Sequence, residues 1–349
     1  MKLKSNYHIP LDKFIDKALY HPKEGYYMKK NPIGKNGDFI TAPNISVLFS
    51  EMIAIWIVAF WKNLNCPNKI NLVELGGGSG EMMLQIISSF KKFPILNKSC
   101  NLFLYEKSPF LKKIQKNKLK KFKIIWLKSL EKINNHPTIF IANEFFDALP
   151  VKQFTKKNNL WHERYVDLSN STKPKFINKI YDIKNLSSKL KMNINYKQNF
   201  IEYSPLAISY LKKISKVISK NDGGLLIIDY GNFNFKMVDT LKAIKKHKFE
   251  HIFSRIGNSD ITYNLNFNFI KTILKKLKLS IAGSTTQRNF LTKLGILKRA
   301  EIVSKNMIFS KKADLYFRIQ KLINKNQMGN IFKVVLATNK KSNFSLGFK

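Results

Sequence analysis

A glycine-rich segment that directly follows an apolar run is the first feature that could do chemistry. It reads VELGGGSG over residues 73–80. Glycines let the backbone turn sharply and approach a ligand closely. The spacing of Gly76, Gly78 and Gly80 differs from the Gly-x-Gly-x-x-Gly of NAD sites, and the Gly-Lys-Ser/Thr of phosphate loops is missing. Glu74 would oppose a pyrophosphate but suits an aminoacyl sulfonium, so these residues predict a site for S-adenosyl-L-methionine. The alternative is a turn that binds nothing.

A second carboxylate stands at the end of the next apolar run. Glu106 follows NLFLY at residues 101–105. A carboxylate at the end of the second strand of such a sheet can accept hydrogen bonds from both hydroxyls of a ribose. We therefore predict that Glu106 binds the nucleoside part of the cofactor, against the alternative of a solvated charge at a strand end.

The segment after the fourth apolar run carries the candidate catalytic residues. It reads NEFFDALP over residues 143–150 and lacks the Asn/Asp-Pro-Pro-aromatic pattern of enzymes that methylate the amino groups of nucleic-acid bases. Glu144 and Asp147 are three apart and converge if the segment turns. Paired carboxylates suit the planar guanidinium group. We predict Glu144, Asp147 and Asn143 as catalytic residues; the alternative is a capped helix start with solvated acids.

A segment near the N-terminus predicts a lid. It contains GYY at 25–27 and GDFITAP at 37–43. An ordered segment ahead of the glycine-rich turn could fold over the cofactor, with Asp38 and Thr41 as hydrogen-bonding groups. A plain turn is the alternative.

The elements that must position these residues alternate between apolar runs and amphipathic stretches, a pattern typical of βαβ units around a mainly parallel sheet. Helices are predicted at 80–92 and from Pro109 onward, where proline favours a helix start. The predicted strands cover 70–75, 101–106, 123–127, 138–142, 224–229 and 331–338. The predicted fold class is α/β, a class I (Rossmann-like) methyltransferase sheet with a helical N-terminal preface and a β-rich insertion after the fourth strand.

The same pattern predicts four regions. Residues 1–69 form a helical preface or lid that ends in an apolar helix at 46–61. Residues 70–150 form the cofactor-binding Rossmann-like half, and residues 151–203 form the β-rich insertion. Residues 204–349 form the second half of the core, which returns to helices.

Composition limits the partners. The 349 residues carry a formal net charge of +40, mostly from lysine. Base and phosphate readout favours the arginine fork, so we interpret the lysine excess as genomic composition, with an RNA-binding surface as the alternative. Cys66 and Cys100 supply neither a disulfide framework nor a zinc cluster, so no metal is predicted.

Targeting signals are not evident in the printed sequence. The first residues, MKLKSNYHIPLDKF, lack an apolar segment of signal-peptide length. The longest apolar stretch, Met52–Trp61, is far shorter than the ~20 residues that span a bilayer. We therefore expect no membrane span and a cytoplasmic protein.

These motifs together resemble the MidA-like methyltransferases, a family that includes the mitochondrial complex I assembly factor acting on a protein arginine. The resemblance runs from about Tyr20 to Leu336. Besides the four segments quoted above, it rests on IIDYG at 227–231, GNSDIT at 257–262, QRNFLTKLGI at 287–296 and MGNIF at 328–332. It implies S-adenosyl-L-methionine as cofactor, arginine methylation as activity, and a protein partner such as a respiratory-complex subunit.

The chain also departs from the family pattern. Gly77 and Ser79 replace a proline and an arginine of the usual glycine-rich turn. Asn44 stands where the family often has glutamate, and Asn264 and Asn266 replace an acidic pattern. The roles of those acids are not carried over to this chain.

Three functions compete. The first is a protein arginine methyltransferase, and the second is a tRNA or rRNA methyltransferase, favoured by the basic charge. The third is a catalytically silent assembly factor, against which the intact Gly76, Gly78, Gly80 and Glu106 argue. Methylation of a small molecule is a minor alternative.

Overall fold

The computed structural model describes residues 7–29, 32, 34, 37–38, 40–170, 172–192, 198–339 and 342–349. Phe39 of the predicted lid segment and residues 1–6 of the predicted preface lie outside the described residues.

The helices are α1 (Leu11–Tyr20), α2 (Tyr26–Lys29), α3 (Ala42–Ile45), α4 (Val47–Asn63), α5 (Glu81–Phe90), α6 (Pro94–Ser99), α7 (Pro109–Lys118), α8 (Ile183–Leu190), α9 (Pro205–Asn221), α10 (Phe267–Lys276), α11 (Gln287–Lys293), α12 (Ile296–Ser304), α13 (Phe309–Ile323) and α14 (Met328–Ile331). The strands are β1 (His8–Pro10), β2 (Ile70–Leu75), β3 (Cys100–Tyr105), β4 (Ile124–Trp126), β5 (Thr138–Asn143), β6 (Lys152–Lys157), β7 (Leu160–Asp167), β8 (Lys175–Ile180), β9 (Phe200–Tyr203), β10 (Gly223–Asn232), β11 (Lys242–Lys245), β12 (Lys248–Glu250), β13 (Asp260–Thr262), β14 (Leu265–Asn266), β15 (Ser280–Thr286) and β16 (Phe332–Thr338).

A central sheet carries the fold, with strand order β15-β16-β10-β5-β2-β3-β4 and with β14 paired to β10. Strands β4, β3, β2, β5 and β10 are parallel. Strand β16 runs antiparallel to both β10 and β15. Strands β2 and β5 are buried along their whole length, as expected for central parallel strands covered on both faces.

Six strands of this sheet were predicted, and each lies within a few residues of its predicted bounds. Strand β15 was missed because SIAGSTT is small and polar, lies at the sheet edge and is mostly half-buried. The prediction that the chain returns to helices after residue 204 missed β15 and also a separate small sheet. Strands β11, β12 and β13 form a small antiparallel sheet; β11 and β12 read KAIK and KFE, and all three strands are too short to show an apolar alternation.

Two apolar cores cover the two faces of the central sheet. Alternation along β2 places Val73 and Leu75 in the core shared with α1, α9 and α10, and Leu72 in the core shared with α4 and α5. Helix α4 begins at Val47 and is capped by Ser46, whose side chain accepts a hydrogen bond from Leu48 N. This helix is the predicted apolar helix of the preface.

A second sheet holds the strands of the predicted insertion, in the order β1-β7-β6-β9 with β8 paired to β7. Strand β1 comes from the preface that was predicted as helical, and His8 pairs with Asp167. The preface therefore contributes an edge strand to the insertion sheet. The four-region division of the chain stays a prediction.

None of the helices in the described residues combines the length and apolar character needed to cross a membrane. Across the same residues, no group of three His, Cys, Asp or Glu side chains is placed to hold a metal ion.

Candidate functional site

The glycine-rich turn connects β2 to α5, and its backbone requires glycine. Gly76, Gly78 and Gly80 have φ values of 65°, 52° and 77°, in the left-handed region that L side chains rarely adopt. A Cβ atom at Gly76 would lie 2.8 Å from the ring of Phe145, so this turn also makes close contact with the segment after β5.

The turn opens onto a cavity at the carboxyl ends of the parallel strands, where open α/β sheets place ligands. Eight of the ten predicted site residues line this cavity: Thr41, Glu74, Gly76, Gly78, Glu106, Asn143, Glu144 and Asp147. Gly80 does not line it and instead precedes α5 as its N-cap. Asp38 is also absent from the lining.

Asp38 has a different position from the one expected for a lid residue. Its carboxylate accepts hydrogen bonds from Tyr26 Oη at 2.7 Å and Lys246 N at 3.1 Å, and it pairs with Lys245 Nζ at 3.3 Å. These contacts tie α2 to the β11–β12 hairpin. The oxygens of Asp38 therefore bind protein donors, and the residue stabilises the packing of α2 against the β11–β12 hairpin.

Glu74 is a buried carboxylate that needs a cation. Its side chain lines the cavity, and among the described residues no donor reaches Oε2. Burial, and to a lesser extent the nearby Glu106, raises the pKa of Glu74 to about 8. An ammonium or sulfonium group beside it would stabilise its charged form.

Glu106 is held by donors that sequence reasoning did not identify. Its oxygens accept hydrogen bonds from Ser108 N at 2.9 Å and from Gln115 Nε2 at 3.1 Å. Burial raises the pKa of Glu106 to about 7, although both donors favour its charged form. Gln115 is fully buried, donates to Gly78 O at 2.9 Å and accepts from Trp126 Nε1 at 2.9 Å. A glutamine on the buried face of the polar helix α7 was the available signal.

Glu144 lies in a strained backbone conformation at the end of β5. Its φ is 51°, and its N–H donates to Ile228 O at 3.0 Å. The side-chain Oε1 accepts from Ala42 N at 3.3 Å and Asn143 Nδ2 at 3.2 Å. Burial, and then the nearby Asp147, raises the pKa of Glu144 to about 8. Non-glycine residues with positive φ persist where the surrounding structure holds them, which occurs often at functional sites.

Asp229 holds the turn that brings Asp147 to the same cavity as Glu144. Its Oδ2 accepts from Phe146 N at 3.0 Å and Asp147 N at 3.3 Å. Burial, followed by the Asp147 and Glu144 carboxylates, raises the pKa of Asp229 well above its usual value. Glu144 and Asp147 both line this cavity, and their catalytic role stays a prediction. Asp229, which holds the turn, was missed, although it belongs to the quoted IIDYG motif.

Asp147 and Asp260 are joined through strand β13. Thr262 Oγ1 donates to Asp147 Oδ2 at 3.1 Å, and Tyr27 Oη donates to Asp260 Oδ1 at 2.9 Å. Burial raises the pKa of Asp147 to about 6. Burial, followed by Asp147, raises the pKa of Asp260 to about 7. Tyr27 and Asp260 were not predicted as site residues, although they lie in the quoted GYY and GNSDIT motifs.

The charge of the cavity is opposite to that of the whole chain. Among its described lining residues Lys107 is the single basic one, against six acids: Glu74, Glu81, Glu106, Glu144, Asp147 and Asp260. The chain as a whole carries a net charge of +40. Such a cavity selects cations, and S-adenosyl-L-methionine carries both an ammonium and a sulfonium group. The donor and acceptor set therefore fits this cofactor.

Comparisons with known proteins agree with this fit. A family model described as an S-adenosyl-L-methionine-dependent methyltransferase matches residues 52–285. The mitochondrial protein arginine methyltransferase NDUFAF7 of Xenopus tropicalis is 29% identical, and the alignment covers 95% of this chain and 83% of that protein. The human protein of the same name is 27% identical over 95% of this chain and 80% of its own length.

Solved structures share the fold. A protein from Burkholderia thailandensis bound to S-adenosyl-homocysteine superimposes with a TM-score of 0.83 at 20% identity, over 98% of this chain and 89% of that chain. The native structure of a Burkholderia thailandensis protein gives a TM-score of 0.80 at 21% identity, over 97% and 89% of the two chains. The predicted class I methyltransferase fold is confirmed.

One prediction is corrected by the same comparisons. The chain was expected to be cytoplasmic, but the relatives from Xenopus tropicalis, Xenopus laevis and Homo sapiens are all named mitochondrial proteins. The prediction rested on residues 1–14 and on the length of the apolar stretches, which do not by themselves identify a compartment. The cofactor prediction and the family resemblance are both confirmed by the family model. The chain belongs to this family of S-adenosyl-L-methionine-dependent methyltransferases.

Proposed function

We propose that this chain methylates arginine side chains of a partner protein. The observation that carries the proposal is Glu144, a half-buried carboxylate on a backbone with φ of 51°, which lines the same cavity as the glycine-rich turn and Asp147. A guanidinium group presents planar donors that two or more carboxylates can hold at once. The name of the relatives, protein arginine methyltransferase, supports the same substrate class.

The cofactor supplies an already activated methyl group, so the chain has mainly to position the nitrogen that attacks it. The hydrogen bonds from Ala42 N and Asn143 Nδ2 both end on Glu144 Oε1. We assign Oε2 of Glu144 to the substrate guanidinium. There it orients one nitrogen, accepts the proton which that nitrogen must lose, and passes it to solvent.

Several features of the cavity wall favour this role of Glu144. Phe145, Tyr105 and Tyr210 line the cavity and exclude water from it, which strengthens electrostatic contacts. Burial raises the pKa of Glu144 to about 8, and a guanidinium beside it would lower that pKa and stabilise the carboxylate that accepts the proton. Asp147 favours a cation in the same place.

The test uses the purified protein, tritiated S-adenosyl-L-methionine and a cell lysate as the source of acceptors. Separate aliquots are digested with protease and with nuclease, and the labelled protein is hydrolysed to amino acids. We expect label that only protease releases, recovered as methylarginine. Label released by nuclease alone would establish the RNA methyltransferase instead, and no label in any fraction would favour the silent assembly factor.

The Glu144→Gln variant tests the assigned residue, because it keeps the shape and removes the charge. We expect turnover to fall by about 10² to 10⁴, with cofactor affinity within about twofold of wild type. Glu301→Gln is the matched control, since Glu301 is exposed and pairs with the exposed Lys298. Full activity of Glu144→Gln would overturn the assignment.

The partner protein is proposed from the resemblance to the family. Its complex I assembly factor points to a respiratory-complex subunit as the acceptor for this chain too. Identification of the labelled lysate protein by mass spectrometry tests this point, and a labelled protein outside such complexes would contradict it.

A further inference from the structure

Asp260 reaches the cavity because of the alternation of strand β13. Side chains two apart on a strand lie on the same face, and both Asp260 and Thr262 line the cavity. Ile261 between them is 2% exposed and packs in an apolar core. Asp260 is itself only 6% exposed. The strand therefore presents a buried carboxylate to the cavity.

Tyr27 fixes the orientation of this carboxylate. Its Oη donates to Asp260 Oδ1 at 2.9 Å, and its backbone carbonyl accepts from Ser108 Oγ at 2.6 Å. Its ring stacks on Tyr20, with centroids 5.5 Å apart. Tyr27 therefore holds Oδ1 of Asp260, and the backbone N–H of Ile261 also favours the charged form of this carboxylate.

Asp147 connects Asp260 with Glu144. It raises the pKa of both carboxyl groups, and it accepts a hydrogen bond from Thr262, the neighbour of Asp260 on the same strand face. Two segments of the chain, the one after β5 and strand β13, thus bring three carboxylates to the same cavity. Water-excluded carboxylates repel one another unless a cation lies among them.

An independent feature points to a donor-rich ligand at the same place. Asn143 lines the cavity and is 8% exposed, yet its Oδ1 accepts no hydrogen bond from the described residues. A buried acceptor of this kind costs free energy unless a ligand supplies the donor. A guanidinium has five N–H donors, enough for three carboxylates and one amide oxygen.

We propose that Asp260 is a third carboxylate that binds the guanidinium of the substrate arginine, with Tyr27 as its positioning residue. The proposal rests on the proposed arginine methylation. It extends the predicted pair of carboxylates to a set of three, and it assigns a role to Asp260 in the segment at 257–262.

The test measures peptide binding without turnover. A fluorescent peptide with a single arginine among glycine and serine residues is titrated with protein loaded with S-adenosyl-homocysteine, and anisotropy gives the affinity. Asp260→Asn keeps an acceptor for Tyr27 but removes the charge. We expect its peptide affinity to fall by about 10-fold to 100-fold, with cofactor affinity within about twofold of wild type. Asp314→Asn, at an exposed position on α13, is the matched control and should bind as wild type.

Tyr27→Phe tests the positioning role and retains the ring contacts. We expect KM for the peptide to rise by about fivefold to tenfold while kcat stays within about twofold, because substrate binding loses an oriented partner and the methyl transfer geometry set by Glu144 is kept. A general loss of structure would instead lower kcat as well and would not support the proposal.

Two outcomes overturn the proposal. If Asp260→Asn binds the peptide as tightly as wild type does, Asp260 is not part of the guanidinium site. Arginine methylation would still stand in that case, provided that Glu144→Gln is inactive. Failure of the wild-type protein to bind the arginine peptide, together with label in RNA, would overturn the proposed function and this inference with it.

Discussion

Gln115 Nε2 lies 3.1 Å from Glu106 Oε2 and donates a hydrogen bond to it. The same nitrogen lies 2.9 Å from the carbonyl oxygen of Gly78. One buried amide therefore couples the carboxylate proposed for the ribose to the glycine-rich turn proposed for the aminoacyl end. The two halves of the cofactor site are held at a fixed separation by a residue of α7.

The Gln115→Met variant should weaken cofactor binding although Gln115 is not a lining residue. Methionine has a similar volume but cannot donate to Glu106 or Gly78. We expect a loss of about 1 to 2 kcal/mol in cofactor affinity, measured by calorimetry. Gln320→Met, at an exposed position on α13, serves as control. Equal affinities in the two variants would show that the coupling is unimportant.

The Gly78→Val variant should abolish cofactor binding while the protein stays folded. Gly78 lines the cavity with a φ of 52°, so valine both strains the turn and fills ligand space. Wild-type binding is expected at about 7 to 9 kcal/mol. Gly295→Val is the matched control, because Gly295 has a φ of 86° and open space around its Cβ position. Calorimetry with circular dichroism checks both, and binding by Gly78→Val would disprove the site.

The Glu106→Ala variant should reduce cofactor affinity by about 1 to 3 kcal/mol, since two ribose hydroxyls lose a charged acceptor. Turnover at saturating cofactor should change little, because Glu106 is assigned to the ribose and not to the transferred methyl group. The comparison is with Glu301→Ala, an exposed glutamate. An affinity within about twofold of wild type would make Glu106 a bystander.

Cofactor affinity should rise with pH across the neutral range. Glu74 and Glu106 have raised pKa values, about 8 and about 7, so below these values the empty site is partly protonated. A bound cation favours the charged carboxylates, so binding lowers both pKa values and releases protons. Affinity therefore increases from about pH 6 toward about pH 8 and then levels, by at most about tenfold per pH unit for each proton released.

Calorimetry in buffers of different ionisation enthalpy measures those released protons directly. The Glu74→Gln variant should release fewer protons and show a flatter pH dependence. Proton uptake on binding, or affinity independent of pH, would contradict the assignment of Glu74 to the cationic part of the cofactor.

Local sequence was sufficient for the part of the site that depends on consecutive residues. The strand β2, the turn at Gly76–Gly80 and the helix α5 follow one another along the chain, and their periodicity and glycine spacing are local properties. The same holds for Glu106 and Glu144, because a residue at the carboxyl end of a parallel strand lies at the ligand edge of the sheet. These positions could be predicted without knowing the packing.

Only the tertiary structure decided which distant residues complete the site. Tyr27 and Asp260 are 233 positions apart, and Asp229 is 83 positions from Phe146, whose N–H it accepts. Nothing in the local sequence distinguishes Gln115 from other helix residues, because its contacts with Gly78 and Glu106 arise only when α7 packs beside the turn. Asp38 was predicted at the cofactor, but Tyr26 and Lys246 take its oxygens. Periodicity and motif spacing report local conformation. The partner of a buried polar side chain depends instead on how whole helices and strands pack, and the burial of the two apolar cores sets that packing.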